Sequence, residues 1–245
     1  MSVPSTVGRP VYRLYQLAWA GLDWLYPPQC GGCGSSCSRW CLNCQENTRL
    51  IPNSICRLCG RVLTSTGLCS ICQDSPPPFT ALRSWAVFNG PIRNALHRLK
   101  YYRDIALGET LARPMIDMLK ELEWDVDLIT AVPLGVARQK ERGYNQAALL
   151  ALPLALGSGR AYHPWALMKV RETRSQVGLT SIQRRENVVK AFRAQRSIVS
   201  DQRILVVDDV TTSGATLEAC ASTLLQEGAR QVYCLTLART VLEAE

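Results

Sequence analysis

The 245-residue sequence predicts an α/β domain, a mostly parallel sheet with helices on both faces, behind a small Cys-rich module. Three observations lead to this. Apolar runs of strand length alternate with helical patterns from Leu82 to Ala238, as βα units require. Nine of the eleven cysteines fall between Cys30 and Cys72. Between the two regions Asp74-Ser-Pro-Pro-Pro78 forms a stiff, extended stretch. The expected organisation is an amphipathic helix within 1–28, a double cysteine module over 29–78 and the α/β domain over 79–245.

Residues 11–26 repeat Leu14, Leu17, Ala18, Gly21, Leu22 and Leu25 at helical spacing, and Pro27-Pro28 ends the pattern. That face is expected to dock on the rest of the protein, with binding to a membrane surface as the alternative. The apolar stretch Leu14–Leu25 is too short to span a bilayer, which takes about 20 residues. Beyond the prolines, Leu82–Phe88 reads as a strand and Ile92–Leu99 as a helix. Ile105–Leu122 is a longer helix that Pro114 should kink or split. Leu128–Val132 reads as a buried strand and Asn145–Leu156 as a helix interrupted by Pro153. Val170–Ala191 is polar and basic, with a helical patch at 182–189. Arg203–Asp209 is a buried strand, Gly214–Gln226 a helix closed by Gly228, and Gln231–Ala238 the last strand.

With 47% hydrophobic and 20% charged residues, the composition excludes a disordered chain. The net charge of +8 is uneven. Arg138–Arg196 holds 12 Lys/Arg against 3 acids, a balance of +9, whereas 201–245 holds 3 against 7, a balance of −4. A basic stretch beside an acidic one suits a polyanionic ligand or a nucleic acid, and otherwise a solvated surface.

The strongest signal is Ile204-Leu-Val-Val-Asp-Asp-Val-Thr-Thr-Ser-Gly-Ala-Thr-Leu217. An apolar strand delivers Asp208 and Asp209 to its C-terminal edge. Val210, Thr211, Thr212, Ser213, Gly214, Ala215 and Thr216 then turn into a helix. Free N–H groups at a helix N-terminus attract phosphate, glycine lets the backbone come close, and hydroxyls add donors. Carboxylates beside such a turn can accept hydrogen bonds from ribose hydroxyls. A sugar phosphate therefore fits better than a bare phosphate. The bland alternative, a capped strand-to-helix turn, does not call for two adjacent acids. Donors for a further phosphate could come from Arg138, Lys140 and Arg142, grouped before Gly143 and Asn145, or from the polar Arg171–Thr180 segment, which has the character of a mobile lid.

In the cysteine region, Cys30-x-x-Cys33 with Cys41-x-x-Cys44 and Cys56-x-x-Cys59 with Cys69-x-x-Cys72 make two tetrathiolate sets. A two-residue spacer lets one turn bring two thiolates to a tetrahedral ion. Four protein ligands leave no open position, so structural Zn²⁺ is expected, with an iron–sulfur cluster as the rival. Interleaved pairing of the four Cys-x-x-Cys units is also compatible with the sequence. Cys37 is unassigned, and Cys220 and Cys234 read as core. Thiolates on metal, with no signal-peptide pattern ahead of them, lead to the expectation of a reducing cytoplasm over disulfides.

Asp-Asp-Val-x-Thr-x-Gly-x-Thr after an apolar strand resembles the 5-phosphoribosyl-1-pyrophosphate motif of type I phosphoribosyltransferases. Val-Pro-Leu…Arg…Arg-Gly-Tyr-Asn-Gln, then Arg-x-Thr…Gln…Leu…Arg-x-x-Asn, resembles the ComF/GntX group, which joins such a domain to an N-terminal zinc ribbon and is linked to DNA uptake in competent bacteria. The likeness runs from about Leu22 to Ala238. It implies that Arg138, Arg142, Asn145 and Gln146 form a pyrophosphate loop and that Arg171, Thr173, Gln176 and Arg184 form a flexible loop. Lys100-Tyr101 matches the family's Lys-Tyr element, although a purely structural role is open.

Two functions follow. One is transfer of ribosyl-5-phosphate to an acceptor the sequence does not identify, with Mg²⁺ on the pyrophosphate, Asp208 and Asp209 at the ribose, and Arg142 or Arg171 neutralising the leaving group. The other is a single-stranded DNA-binding competence factor that keeps the phosphoribosyl site as a sensor. Aromatic residues make up only 7% and are not interleaved with the basic cluster, so no stacking platform is evident in the sequence.

Overall fold

The computed structural model describes residues 8–36, 38–171 and 191–241. Five parallel strands form one sheet. In chain order they are β1 (Ala81–Val87), β2 (Leu128–Ala131), β3 (Ala161–Tyr162), β6 (Arg203–Thr211) and β7 (Gln231–Arg239), and across the sheet they run β1-β7-β6-β2-β3. A separate antiparallel pair, β4 (Leu167–Lys169) and β5 (Phe192–Ala194), flanks it.

The period of two along a buried strand sorts the core into two layers. On β6, Leu205 and Val207 face one layer while Ile204 and Val206 face the other. The first layer is closed by α4 (Gly90–Tyr101), α5 (Leu107–Glu121) and α7 (Gln146–Ser158), through residues such as Leu96, Met115 and Leu150. The second is closed by α9 (Ala215–Gln226), the short α8 (Arg196–Val199) and the β4–β5 pair, through Leu217, Leu224 and Phe192. This is the sheet covered on both faces that the alternation predicts.

Three local expectations change. Pro114 and Pro153 lie inside helices that run on without a break. Each removes one backbone hydrogen bond, but buried neighbours on both sides (Leu111 and Met115, Ala151 and Leu154) hold the helix together. The basic stretch after β2, read as a loop, contains α6 (Val136–Arg142), which Gly143 ends at φ +86° in the left-handed region.

The third change concerns α1 (Gly8–Leu25). It packs on α7, but with the face opposite to the predicted one. Tyr12 and Gln16 donate to the buried carboxylate of Glu109 at 3.2 and 3.1 Å, and Arg113 adds Nε and Nη2 donors at 3.0 Å each. Burial and the Glu109 charge hold the Tyr12 hydroxyl well above its ordinary pKa, so it keeps its proton and donates. Asp23 pairs with Arg39, whose guanidinium lies 5.5 Å from the Trp19 ring. A buried carboxylate must be satisfied, and that requirement outweighs the pull of the leucine stripe. Leu14, Leu17, Leu22 and Leu25 stay exposed.

The cysteine module sits against the open edge of β1. Leu82 donates to the Leu58 carbonyl at 2.8 Å, Val87 to Arg49 at 2.8 Å, and Ile51 to the Trp85 carbonyl at 3.1 Å. Covering an edge strand removes a template for unwanted pairing. Gly60 makes the approach possible. It has φ +68°, and a Cβ there would stand 2.5 Å from the Leu82 carbonyl oxygen. Gly60→Ala should therefore cost about 1–3 kcal/mol in urea unfolding and speed hydrogen exchange at the Leu82 amide. Unchanged exchange there would mean that this contact does not hold the module to the edge.

Candidate phosphosugar site and metal centres

In a parallel sheet, the crevice between neighbouring strands whose connections leave in opposite directions is where ligands bind. Here β2 leads by way of α7 to β3 on one side, while β6 leads by way of α9 to β7 on the other. The switch lies between β2 and β6, where Ala131 is paired with Val207 and Val132 donates to the Val207 carbonyl at 2.8 Å. Asp208 and Asp209 come next on β6.

Asp209 is buried and anchored from two directions. Lys100, near the end of α4, forms an ion pair with its Oδ2, and Gln146 Nε2 donates to its Oδ1 at 3.1 Å. The Gln146 Oε1 in turn accepts from Arg142, whose guanidinium carbon lies 5.5 Å from the Tyr101 ring centroid. One connected network thus runs Lys100–Asp209–Gln146–Arg142. Its Lys100, Gln146 and Arg142 line a cavity of about 390 Å³, together with Tyr101, Arg103, Leu134, Arg138, Glu141 and Tyr144. Four cationic side chains against one carboxylate make this a place for an anion.

Asp208 is half-buried, and its Oδ1 accepts from the Asp209 amide at 2.9 Å. Burial holds its carboxyl well above the usual carboxylate range, and the Asp209 charge pushes the same way. The turn that follows keeps the predicted form. Gly214 has φ +93° and directly precedes α9, Thr212 and Ser213 are exposed, and Thr216 and Val210 are half-buried. The Ala215 amide donates weakly to Ser213 Oγ at 3.4 Å. Among the described residues, buried Thr211 Oγ1 has no hydrogen-bond partner, an orphan of the kind a ligand can satisfy. The turn lies outside the lining of the cationic cavity, and the two regions meet at Asp209.

The candidate residues are thus not all brought together. Lys100, Arg138, Arg142 and Gln146 share the cavity. Asn145 is occupied as the N-cap of α7, accepting from Ala147 N at 3.0 Å and donating to the Val132 carbonyl at 2.9 Å. Arg171 lines a different cavity of about 480 Å³, with Arg193, Phe192 and Gln226. Thr173, Gln176, Arg184, Cys37 and the helical patch at 182–189 lie outside the described residues. Arg103 and Glu141 had no role assigned from the sequence, and Tyr144 stood there only within the Arg-Gly-Tyr-Asn-Gln motif. Arg103 stands just past the Lys-Tyr element, which was the one signal for it.

Aromatic character also joins the cationic surface. Tyr101 and Tyr102 are 63% and 68% exposed, and the His97 ring lies 4.7 and 5.7 Å from theirs. The sequence had shown no such interleaving.

Both cysteine sets assemble sequentially. The sulfurs of Cys30, Cys33, Cys41 and Cys44 lie within 4.8 Å of one another, as do those of Cys56, Cys59, Cys69 and Cys72. Contacts of 3.5 Å (Cys30–Cys44), 3.7 Å (Cys33–Cys41) and 3.7 Å (Cys59–Cys69) match the ~3.8 Å sulfur–sulfur edge of a tetrahedron with ~2.3 Å Zn–S bonds. The knuckles repeat each other, since Cys41 N donates to Cys30 Sγ and Cys69 N to Cys56 Sγ, both at 3.4 Å.

A parallel sheet whose central strand ends in two acids and a hydroxyl-rich turn, behind two tetrathiolate knuckles, defines a zinc-ribbon protein of the type I phosphoribosyltransferase fold. The Double zinc ribbon domain family matches residues 21–73 and the Phosphoribosyl transferase domain family residues 108–241. The chain belongs to the ComF family of phosphoribosyl transferase-domain proteins. It is 33% identical over 194 residues to DNA utilization protein YhgH of Salmonella typhimurium, covering 77% of this chain and 85% of that protein. Competence protein F of Haemophilus influenzae is 26% identical over 220 residues (81% and 96%). Competence protein ComFC of Bacillus subtilis is 28% identical over 209 (82% and 84%). No described helix is long and apolar enough to cross a membrane.

Metal analysis should find two zinc ions per chain, and Cys44→Ser should leave about one, because each four-sulfur set is closed on itself. A second outcome concerns Asp208. With its folded-state pKa above the unfolded value, stability is undiminished below the ordinary carboxylate range and falls as pH rises from there toward the raised value. Asp208→Asn should therefore gain on wild type in Tm as pH rises above about 4, the ordinary aspartate pKa, by roughly 2–4 °C per kcal/mol relieved. An unchanging difference would show that the carboxyl carries no burial penalty.

Proposed function

We propose that the protein binds 5-phosphoribosyl-1-pyrophosphate and transfers its ribosyl-5-phosphate to an acceptor in the cytoplasm. The observation that carries this reading is the network joining Asp209, at the strand end that opens the phosphate turn, to a cavity lined by Lys100, Arg103, Arg138 and Arg142. The 5-phosphate would take the amides and hydroxyls of Thr211–Thr216, including the unpartnered Thr211 hydroxyl. The ribose hydroxyls would donate to Asp208 and Asp209. The diphosphate would enter the cationic cavity, drawing Lys100 and Arg142 from their present partners and neutralising charge as the leaving group departs.

Mg²⁺ would arrive with the diphosphate. Two adjacent carboxylates, one of which burial and its neighbour make harder to ionise, are a pair whose charged form a divalent cation would stabilise. When bound it would offset the charge on the leaving oxygens. Arg171, Thr173, Gln176 and Arg184 would supply further donors to the diphosphate. Two zinc ions would hold the N-terminal module in a structural role.

Calorimetry on zinc-loaded protein with Mg²⁺ should show saturable binding of the phosphoribosyl donor. Asp208→Asn/Asp209→Asn should abolish it, and Arg142→Ala should weaken it about tenfold or more, the loss expected for a charge-assisted contact. No heat with the wild-type protein would overturn the reading. Incubation with the donor and a panel of nucleobases should release pyrophosphate for the true acceptor, and silence with every acceptor would reduce the site to a sensor.

A second reading, single-stranded DNA binding, is favoured by exposed Tyr101 and Tyr102 beside Arg103, Arg138 and Arg142, and by relatives named for DNA utilization and competence. Stacking on tyrosine beside a basic groove tolerates any base sequence. Affinity for an oligonucleotide should fall steeply with salt and drop about tenfold in Tyr101→Ala/Tyr102→Ala. Binding that ignores both would exclude this surface.

A further inference from the structure

α1 is mounted inside out. Its polar and aromatic side, Tyr12, Tyr15, Gln16, Trp19 and Asp23, faces the protein, tied down by Glu109 and Arg39. Its apolar side faces outward. At 100° per residue, Trp24, Leu17, Gly21, Leu14, Leu25, Ala18, Val11 and Leu22 fill one unbroken arc of the helix. Arg13, at the rim of that arc, is the only charged side chain next to it among the described residues. With Tyr26 just beyond the helix end, the large side chains of this face are 45–86% exposed.

We infer that this face is the contact between two copies of the chain, paired α1 against α1. Area supports it. At those exposures the seven large side chains offer on the order of 700–900 Å², against the roughly 800 Å² per partner of a stable interface. Composition supports it too. A contact about a two-fold axis places the same patch on both sides, and an all-apolar stripe is complementary to itself. Ala18 and Gly21 lie near the middle of the arc, and a Cβ on Gly21 would meet nothing within 4 Å. Small residues there let two helix axes approach to about 8 Å, the close end of helix packing.

A membrane surface is the competing occupant. A helix lying on anionic lipid has basic residues along its polar face. Here that face is taken up by the protein itself, and the last turn of α1 carries no basic residue.

Sedimentation equilibrium on the zinc-loaded full chain should give twice the chain mass at micromolar concentration. Leu14→Glu/Leu17→Glu should sediment as a monomer with its two zinc ions retained, its dissociation constant raised at least a hundredfold. If that double variant fails to fold, Gly21→Trp, which meets open space in the single chain, should weaken the dimer at least tenfold with its two zinc ions retained. A wild-type monomer at 50 micromolar would overturn the inference, as would a dimer indifferent to both variants. So would a monomer that floats with phosphatidylglycerol vesicles through these same leucines, which would give the face to the membrane.

Discussion

The architecture of the site depends on two neighbouring carboxylates held at the inner end of a buried strand. Asp209 is removed from water, where an isolated charge is costly, so it must be matched from nearby elements. Lys100 reaches it from α4 and Gln146 from the start of α7, while Arg142 at the end of α6 holds Gln146. Three separate connections are therefore fixed with reference to one strand end. Well-packed apolar residues would stabilise a core better than such an ion pair. What the arrangement provides is a preorganised, polar crevice whose cations are already gathered beside the acids.

The cysteine module works by a different principle. Residues 29–78 supply few large apolar side chains to a core of their own, and the third hydrophobic cluster consists mainly of Cys56, Cys69, Cys72, Leu58 and Leu63. Closed tetrathiolate sites substitute for that missing core. The stabilised knuckles then serve the sheet. Gly60 lies against β1, Arg83 donates to the Arg57 carbonyl at 3.0 Å, and buried Arg239 at the end of β7 donates to the Cys59 carbonyl. The second knuckle thus reaches the C-terminal end of the sheet, where the hydroxyl-rich turn begins, since Arg239 is paired with Thr211 across β6 and β7.

Much of this was legible in the sequence because it depends on short-range patterns. A buried strand running into Asp208-Asp209 and a turn closed by Gly214 is a local arrangement, set by backbone amides and φ +93°. Cysteine spacing likewise dictates a knuckle. Other features were not local. Helical periodicity places the α1 leucines on one face correctly, yet it does not say which face the protein uses, because the buried charge of Glu109 lies more than 90 residues away in the chain. Asn145 and Gln146 are adjacent in sequence but split by helix geometry, one capping α7 and the other reaching Asp209. Tyr101 and Arg142 look unrelated along the chain and meet only because α4 and α6 flank the same crevice.

The class of fold, the paired cysteines and the turn of two acids and hydroxyls could all be read along the chain, since each is written in contiguous residues whose backbone and bonding needs are met within a turn or two. The sequential pairing of the cysteine sets, the outward apolar side of α1 and the gathering of Lys100, Arg103, Arg138 and Arg142 in one cavity came only with the folded chain. Those depend on which distant charges and cavities must be satisfied at once. A buried carboxylate selects its partners by position in space, and strand order brings them there.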